Sequence, residues 1–179
     1  MLFSTKYRSP IGSLLMACEG DSLIGLWFEG QKHFGGSVAG ELSADDDRPV
    51  FMAAKKWLDA YFDGRRPPLS GLSLAPKGSA FRKAVWDILR EIPYGSVIAY
   101  GEIARIAAAR AGRAGMSSQA IGGAVGHNPL SIVIPCHRVV GADGSLTGYA
   151  GGLEKKKKLL EHEGVDMSRL FVPARGTAL

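Results

Sequence analysis

Of the two cysteines in this 179-residue chain, Cys18 and Cys136, only Cys136 stands among groups that change what a thiol does. It lies in Pro135-Cys136-His137-Arg138, directly after the short apolar segment Ser131–Ile134 and eight residues after Asn128. Proline fixes φ and removes a backbone donor, so the position is held rather than adaptable. His137 and Arg138 bring positive charge, expected to draw the thiol below its usual pKa of about 8.5. Asn128 can supply amide hydrogen bonds to the same segment. A reactive thiolate needs a base, and the base needs an orienting carboxylate. Glu163, at the end of the last helix, is the best candidate, with Glu161 behind it. The plainer alternatives are a small buried hydrophobe at 136 and a solvated helix-end acid at 163. Four scattered histidines and two cysteines have no zinc-finger spacing, so neither metal nor cofactor is expected.

These residues require elements to position them. Residues 3–28 read as a hairpin or meander, with turns at Ser9-Pro10-Ile11-Gly12 and Glu19-Gly20-Asp21 between apolar runs. Gln31–Pro49 reads as a long loop. From Val50 to Phe62 the apolar residues Phe51, Ala54, Trp57, Leu58 and Tyr61 recur at helical spacing, and Gly64 ends the pattern. Leu69–Leu74 is a candidate short strand, followed by a linker through Gly78. Ser79 can cap a helix with Phe81, Val85, Trp86 and Leu89 on its apolar face, ended before Ile92-Pro93. Gly101 to about Ala109 is helical, and Ser117 or Ser118 caps a second helix from Gln119 to about Val125. The pair resembles a helix-turn-helix with an enlarged turn. Val139-Val140, a turn at Asp143-Gly144 and the glycine-rich 146–153 precede a final helix, Glu154–Glu163. The chain therefore divides into an α+β domain, residues 1–78, and a mostly helical domain, 79–179.

Composition narrows the function classes. With 46% hydrophobic residues the chain has enough apolar material for a core, and its longest apolar runs fall far short of the roughly 20 residues of a membrane span. No secretion signal is read at the N-terminus, and only two cysteines in a chain too large to need disulfide staples suit a reducing cytoplasm. The net charge of +5 lies entirely in the second half: residues 1–80 carry nine basic and nine acidic side chains, and 81–179 carry thirteen and eight. A neutral module followed by a basic one points to an anionic partner for the second. A cysteine protease or acyl transferase is a poor fit, since adjacent Cys and His do not favour that geometry. A helix-turn-helix regulator would leave Pro135–Arg138 and Glu163 unexplained.

The segment Pro135-Cys136-His137-Arg138-Val139 resembles the signature of the O6-alkylguanine-DNA alkyltransferases. The similarity extends through Gly25–Gln31, Phe81–Trp86, Ile92-Pro93-Tyr94-Gly95, Tyr100-Gly101, Ala120-Ile121-Gly122, Asn128-Pro129, Leu146–Leu153 and Leu159–Gly164, so it covers about residues 3–170. It implies a ribonuclease H-like small sheet with a helix, then a winged-helix-like domain with a helix-turn-helix. The implied reaction is suicidal transfer of an alkyl group from O6 of guanine, with O4 of thymine as a secondary substrate, to Cys136, on a base flipped out of double-stranded DNA. By the family pattern His137 is the base acting through water, Glu163 orients it, Tyr100 aids flipping and donates a proton, and Asn128 braces the site. Ser118, Gln119, Ala120, Gly122, Arg138, Tyr149 and Ala150 are the implied DNA or base contacts. A cytoplasmic monomer with no cofactor, no membrane contact and no obligate protein partner is expected. Some relatives carry zinc in the first module, but Cys18 and His33 are its only cysteine and histidine. A non-catalytic sensor of alkylated DNA is the alternative, which the presence of Cys136 disfavours.

Two departures stand out. Gln119 replaces the family's usual arginine, which predicts weaker DNA affinity or slower flipping. The stretch between Tyr100 and Gln119 is about five residues longer than usual, so either the first helix gains a turn or the connection is larger. Its arginines, Arg110 and Arg113, either reach phosphates or remain solvated. Lys155–Lys158 cannot all face one side of a helix, so at most two are expected to contact DNA. Ala120, Gly122, Gly123 and Ala124 either let the second helix approach DNA closely or serve internal packing.

Overall fold

In the structure, a computed structural model that describes residues 1–36 and 38–174, the chain forms two compact units. The first comprises Met1–Lys77 together with Pro129–Ser131; the second comprises Gly78–Asn128 and the chain from Ile132 onward.

The first unit is a four-stranded sheet in the order β3-β2-β1-β4, formed by β1 (Leu2–Ser9), β2 (Gly12–Glu19), β3 (Ser22–Phe28) and β4 (Leu42–Ala44). The antiparallel meander follows the expected turns, with a register irregularity at Ala17/Cys18. β4 pairs parallel to β1, Leu2 opposite Leu42, inside a stretch expected to be loop. Three residues cannot display an alternation, so only the tertiary pairing makes this a strand. The near-continuous apolar run of β3 is buried on both faces, as such runs are. Trp27 packs with Ala17 and Ile24 in one cluster, and its ring lies over Gly25, where a Cβ would collide with it. Helix α1 (Pro49–Phe62) packs on β1, β2 and β3 and buries Phe51, Ala54, Leu58 and Tyr61, the face read from the periodicity. Residues 69–71 form a 3-10 turn rather than a strand. Only the end of that segment joins the sheet, where Leu23 N–H donates to Ser73 O and Ala75 N–H to Leu23 O. Further along β3, Leu26 N–H donates to Pro129 O and accepts at its carbonyl from Ser131 N–H, which places 129–131 in this unit.

The second unit is built on α2 (Ala80–Arg90), α3 (Tyr100–Arg110) and α4 (Ser118–Gly126), packed on one another, and α5 (Leu153–His162). Ser79 caps α2 by accepting from Arg82 N–H. The buried Trp86 donates its indole N–H to Ala124 O at 2.9 Å, tying α2 to α4. A short parallel pair, β5 (Ile98–Ala99) with β6 (Val139–Val140), was not read from the sequence. It matters to the site because β5 runs directly into Tyr100 and β6 directly out of Cys136–Arg138. Val140, Leu146 and Leu160 form a second cluster with Val165, Met167 and Leu170, which seats α5. Each fully buried aliphatic side chain contributes about 1.5–3 kcal/mol.

Candidate active site

Cys136 opens a single 3-10 turn, Cys136–Arg138, reached through an inverse γ-turn. Pro135 has φ −81° and ψ 62°, and Cys136 N–H donates to Ile134 O at 2.8 Å. Proline suits this turn because its ring already sets φ near the required value. Just upstream, Ile132 sits at φ 70°, a conformation that a β-branched residue adopts only under constraint. The 3-10 turn has three residues per revolution, so the three consecutive side chains leave about 120° apart.

The first of them, Cys136, is 4% exposed. Asn128 donates through Nδ2 to its Sγ at 3.1 Å and to Ile134 O at 2.7 Å, so one amide fixes both the sulfur and the turn behind it. Burial pushes the Cys136 thiol up; the Asn128 hydrogen bond and the Lys156 charge act against it. This corrects the expectation of a thiol lowered by its neighbours in sequence. The His137 and Arg138 side chains point elsewhere, and the groups that favour the thiolate are Asn128, Lys156 and the backbone N–H groups of Cys136 and His137.

The second, His137, is fully buried and its Nε2 lies 2.7 Å from Glu163 Oε1. Burial lowers its pKa against the upward pull of Glu163, so the ring is neutral and Nε2 carries the proton donated to the carboxylate. Nδ1 is then a lone-pair acceptor, and among the described residues it has no hydrogen-bond partner. The third, Arg138, binds Glu163 through two nitrogens, Nε to Oε2 at 2.8 Å and Nη2 to Oε1 at 2.9 Å. Its Nη1 donates to Ile92 O at 2.6 Å. Gly95 N–H adds a fourth hydrogen bond to Glu163, at Oε2 and 3.1 Å. Burial pushes the Glu163 carboxyl up, but the His137 and Arg138 hydrogen bonds outweigh it and hold the pKa far below the carboxylate range. Ile92-Pro93-Tyr94-Gly95 is therefore the collar of this ion pair. Gly95 has φ +76°, and a Cβ there would come within 3.0 Å of Glu163 O.

Tyr100, at the start of α3, donates its hydroxyl to Gly148 O at 3.0 Å and less directly to Thr147 O at 3.3 Å. Burial, with the Cys136 charge adding to it, pushes the Tyr100 phenol well above its ordinary value, so it remains a donor. Lys156, in α5, is fully buried and donates to Val139 O and to Thr147 O, the latter at 2.6 Å. Burial draws its ammonium down to about 8, with the Cys136 charge acting in the opposite sense. Tyr149 is buried and Ala150 half-buried at the end of the same glycine-rich segment. Among the described residues no group of three or more His, Cys, Asp or Glu is placed to hold a metal.

Helix α4 leaves Ser118, Gln119, Ala120 and Gly123 exposed and Gly122 half-exposed, while Ala124 faces the core. Ser117 is the cap, accepting from Gln119 N–H and Ala120 N–H. A Cβ at Gly122 or Gly123 would meet nothing within 4 Å. Among the described residues nothing thus requires glycine at either position.

Three comparisons bear on what this arrangement is. Residues 2–76 match the family described as 6-O-methylguanine DNA methyltransferase, ribonuclease-like domain, and residues 80–165 its DNA binding domain. The chain belongs to the O6-methylguanine DNA methyltransferase family. It is 42% identical over 163 residues to the methylated-DNA–protein-cysteine methyltransferase of Haemophilus influenzae, covering 90% of this chain and 86% of that one. With the Methanosarcina acetivorans protein of the same name it shares 41% over 165 residues, 91% of this chain and 99% of the other. The crystal structure of Mycobacterium tuberculosis OGT in complex with DNA superposes with a TM-score of 0.77 at 38% identity, covering 96% of each chain.

Measured against the family pattern, the structure brings the buried residues Cys136, His137, Glu163 and Asn128 together in the second unit, with Tyr100 half-buried beside them. Arg138 departs from its expected place at DNA: it is buried, and its donors go to Glu163 and Ile92 O. Lys156 is the site residue the sequence reading missed, taken there as one of a basic run of which at most two members were expected to contact DNA. A usable signal existed, since Lys156, Leu159 and Leu160 are spaced i, i+3, i+4 and form the buried stripe of the helix. The longer 101–118 segment resolves as a larger connection. α3 ends at Arg110, Gly112 takes φ +62°, and Arg113 N–H returns to Ala108 O in a Schellman closure. Arg110 is held by Glu91 in a two-point ion pair.

Proposed function

We propose that the protein repairs alkylated DNA by moving an alkyl group, methyl foremost, from O6 of guanine to the sulfur of Cys136, once per molecule. The observation that carries this reading is the buried Cys136 thiol beside a neutral His137 whose other nitrogen is anchored on Glu163. In the proposed sequence the damaged base leaves the stack of double-stranded DNA, and the small exposed face of α4 lets the helix approach the duplex closely. A water relays the thiol proton to Nδ1 of His137, and Glu163 stabilises the imidazolium that forms. Asn128 and Lys156 stabilise the thiolate, which attacks the alkyl carbon in line as its bond to O6 breaks. Tyr100 donates at the departing guanine so that it leaves neutral. The thioether has no route of release, so each chain acts once. Ser118, Gln119, Ala120 and Gly122 meet the duplex in this scheme, and Tyr149 and Ala150 wall the base pocket. We place this activity in a cytoplasmic monomer, a compartment that keeps Cys136 reduced.

The test is the mass of the intact protein after incubation with an oligonucleotide containing O6-methylguanine. A gain of about 14 Da on Cys136, in a ratio to protein not exceeding one and absent in Cys136→Ala, is expected. Repeated turnover, or modification of Cys18 alone, would overturn the reading.

A further inference from the structure

A cleft of about 330 Å3 opens on the second unit between α3 and the connection to α4. Its α3 wall is Gly101, Ala104, Arg105 and Ala108, spaced i, i+3, i+4, i+7 and hence one face of the helix. Small residues there leave room, and the single long side chain is Arg105. The opposite wall brings Arg113, held in place by the Schellman closure, and Ser118 at the first turn of α4. Three other arginines of this unit are matched by acids, Arg110 by Glu91, Arg138 by Glu163 and Arg90 by Asp87, while Arg82 and Arg169 form no salt bridge among the described residues and do not line the cleft. The guanidiniums of Arg105 and Arg113 have no hydrogen-bonding or ion-pair partner among the described residues, and no carboxylate lines the cleft. Two unmatched guanidiniums facing one cleft repel each other, and an anion between them turns that repulsion into attraction. The N-terminus of α4 adds its partial positive charge on the same side.

We infer that this cleft seats one phosphate of the DNA backbone, gripped by Arg105 and Arg113. Phosphate is the chemistry indicated because guanidinium forks match its oxygens, while the lining holds no aromatic ring on which a base could stack. The backbone of a duplex is the source indicated because the cleft adjoins the exposed residues Ser118, Gln119 and Ala120. The contact would position the duplex without reading sequence. This inference rests on the DNA-repair reading above.

The test is the salt dependence of binding to a short undamaged duplex. Releasing counterions from one phosphate contributes about 0.9 to the log–log slope. Arg105→Gln/Arg113→Gln should lower the slope by about 1 and the affinity about tenfold near physiological salt. Arg105→Lys/Arg113→Lys, which keeps the charges, should restore most of the slope, and unchanged melting of both variants shows that folding is intact. A slope equal to wild type in the glutamine pair overturns the inference. So does saturation of the cleft by millimolar inorganic phosphate with no effect of the substitutions on the DNA slope, which would assign it to a free anion. The two readings fail separately. Wild-type protein that takes no methyl from damaged duplex refutes the repair reading, whereas normal methyl uptake with an unaltered slope refutes only the phosphate seat.

Discussion

Replacing Glu163 by glutamine changes one atom and inverts the logic of the buried site. Four donors converge on the carboxylate: His137 Nε2, Arg138 Nε and Nη2, and Gly95 N–H. Glutamine presents one oxygen and one NH2, itself a donor. Placed at Oε2 the NH2 confronts Arg138 Nε and Gly95 N–H; placed at Oε1 it confronts His137 Nε2 and Arg138 Nη2. Two donors are opposed either way, and the buried guanidinium loses its counter-charge. Two lost charge-assisted hydrogen bonds at about 1.5–3 kcal/mol each amount to about 3–6 kcal/mol. Removing one partner of a buried ion pair independently gives about 3–5 kcal/mol. At about 2–4 °C per kcal/mol for a chain of this size, melting should fall by about 6–20 °C. The folded pKa of Glu163 lies below its unfolded value, so its contribution is complete above the unfolded value of about 4.3 and is lost as pH falls toward the folded one. The stability gap between wild type and Glu163→Gln, measured by urea unfolding, should therefore be flat from about pH 5 to 7. Below about pH 4 it should close by about 1.4 kcal/mol per pH unit. A loss under about 1 kcal/mol at neutral pH, or a gap unchanged at about pH 3, would refute this account of the site.

Three further outcomes follow from the same geometry. Asn128→Ala removes the donor to Cys136 Sγ and to Ile134 O, so the pH midpoint for alkylation of Cys136 by iodoacetamide should move up, with about 1–3 kcal/mol of stability lost; an unmoved midpoint counts against its role at sulfur. Gly122→Ala places a methyl in open space, so melting should hold or rise by up to about 1 kcal/mol of helix propensity while affinity for damaged duplex drops. Lys156 is held near 8 when folded against about 10.4 unfolded, so its charge opposes folding below that range. Wild type should gain on Lys156→Met by up to about 3 kcal/mol as pH rises from about 8 to 10.5, and a flat difference would show that the ammonium is not buried as described.

Much of this molecule was legible in its sequence, for reasons that differ by element. α1 and α2 announce themselves because their buried residues recur at helical spacing and their ends carry Gly64, Ser79 and Pro93. Cys136 and Glu163 could be paired in advance because so few groups in the chain activate a thiol. What escaped depends on contacts distant in sequence. β4 and β5 are three and two residues long and exist only through their partners β1 and β6. Arg138 was misassigned because a charge beside a cysteine looks electrostatic until its acid, 25 residues later, is seen to take it. Lys156 was hidden by its neighbours: four consecutive lysines look solvated, and only its spacing to Leu159 and Leu160 distinguishes the buried one.

The acceptor sulfur is a core atom, 4% exposed and donated to by a buried amide. Repair therefore enlarges the protein's own interior by one methyl group and replaces a good acceptor for Asn128 with a weak one. An added methyl in a packed core costs about 1–3 kcal/mol, several degrees of melting for a chain of this length. Spent molecules become a separate, less stable population, so the two melting transitions of a mixed sample record how many lesions it has met. The chain is in this sense its own dosimeter, with the history of the DNA written into the stability of the protein that repaired it.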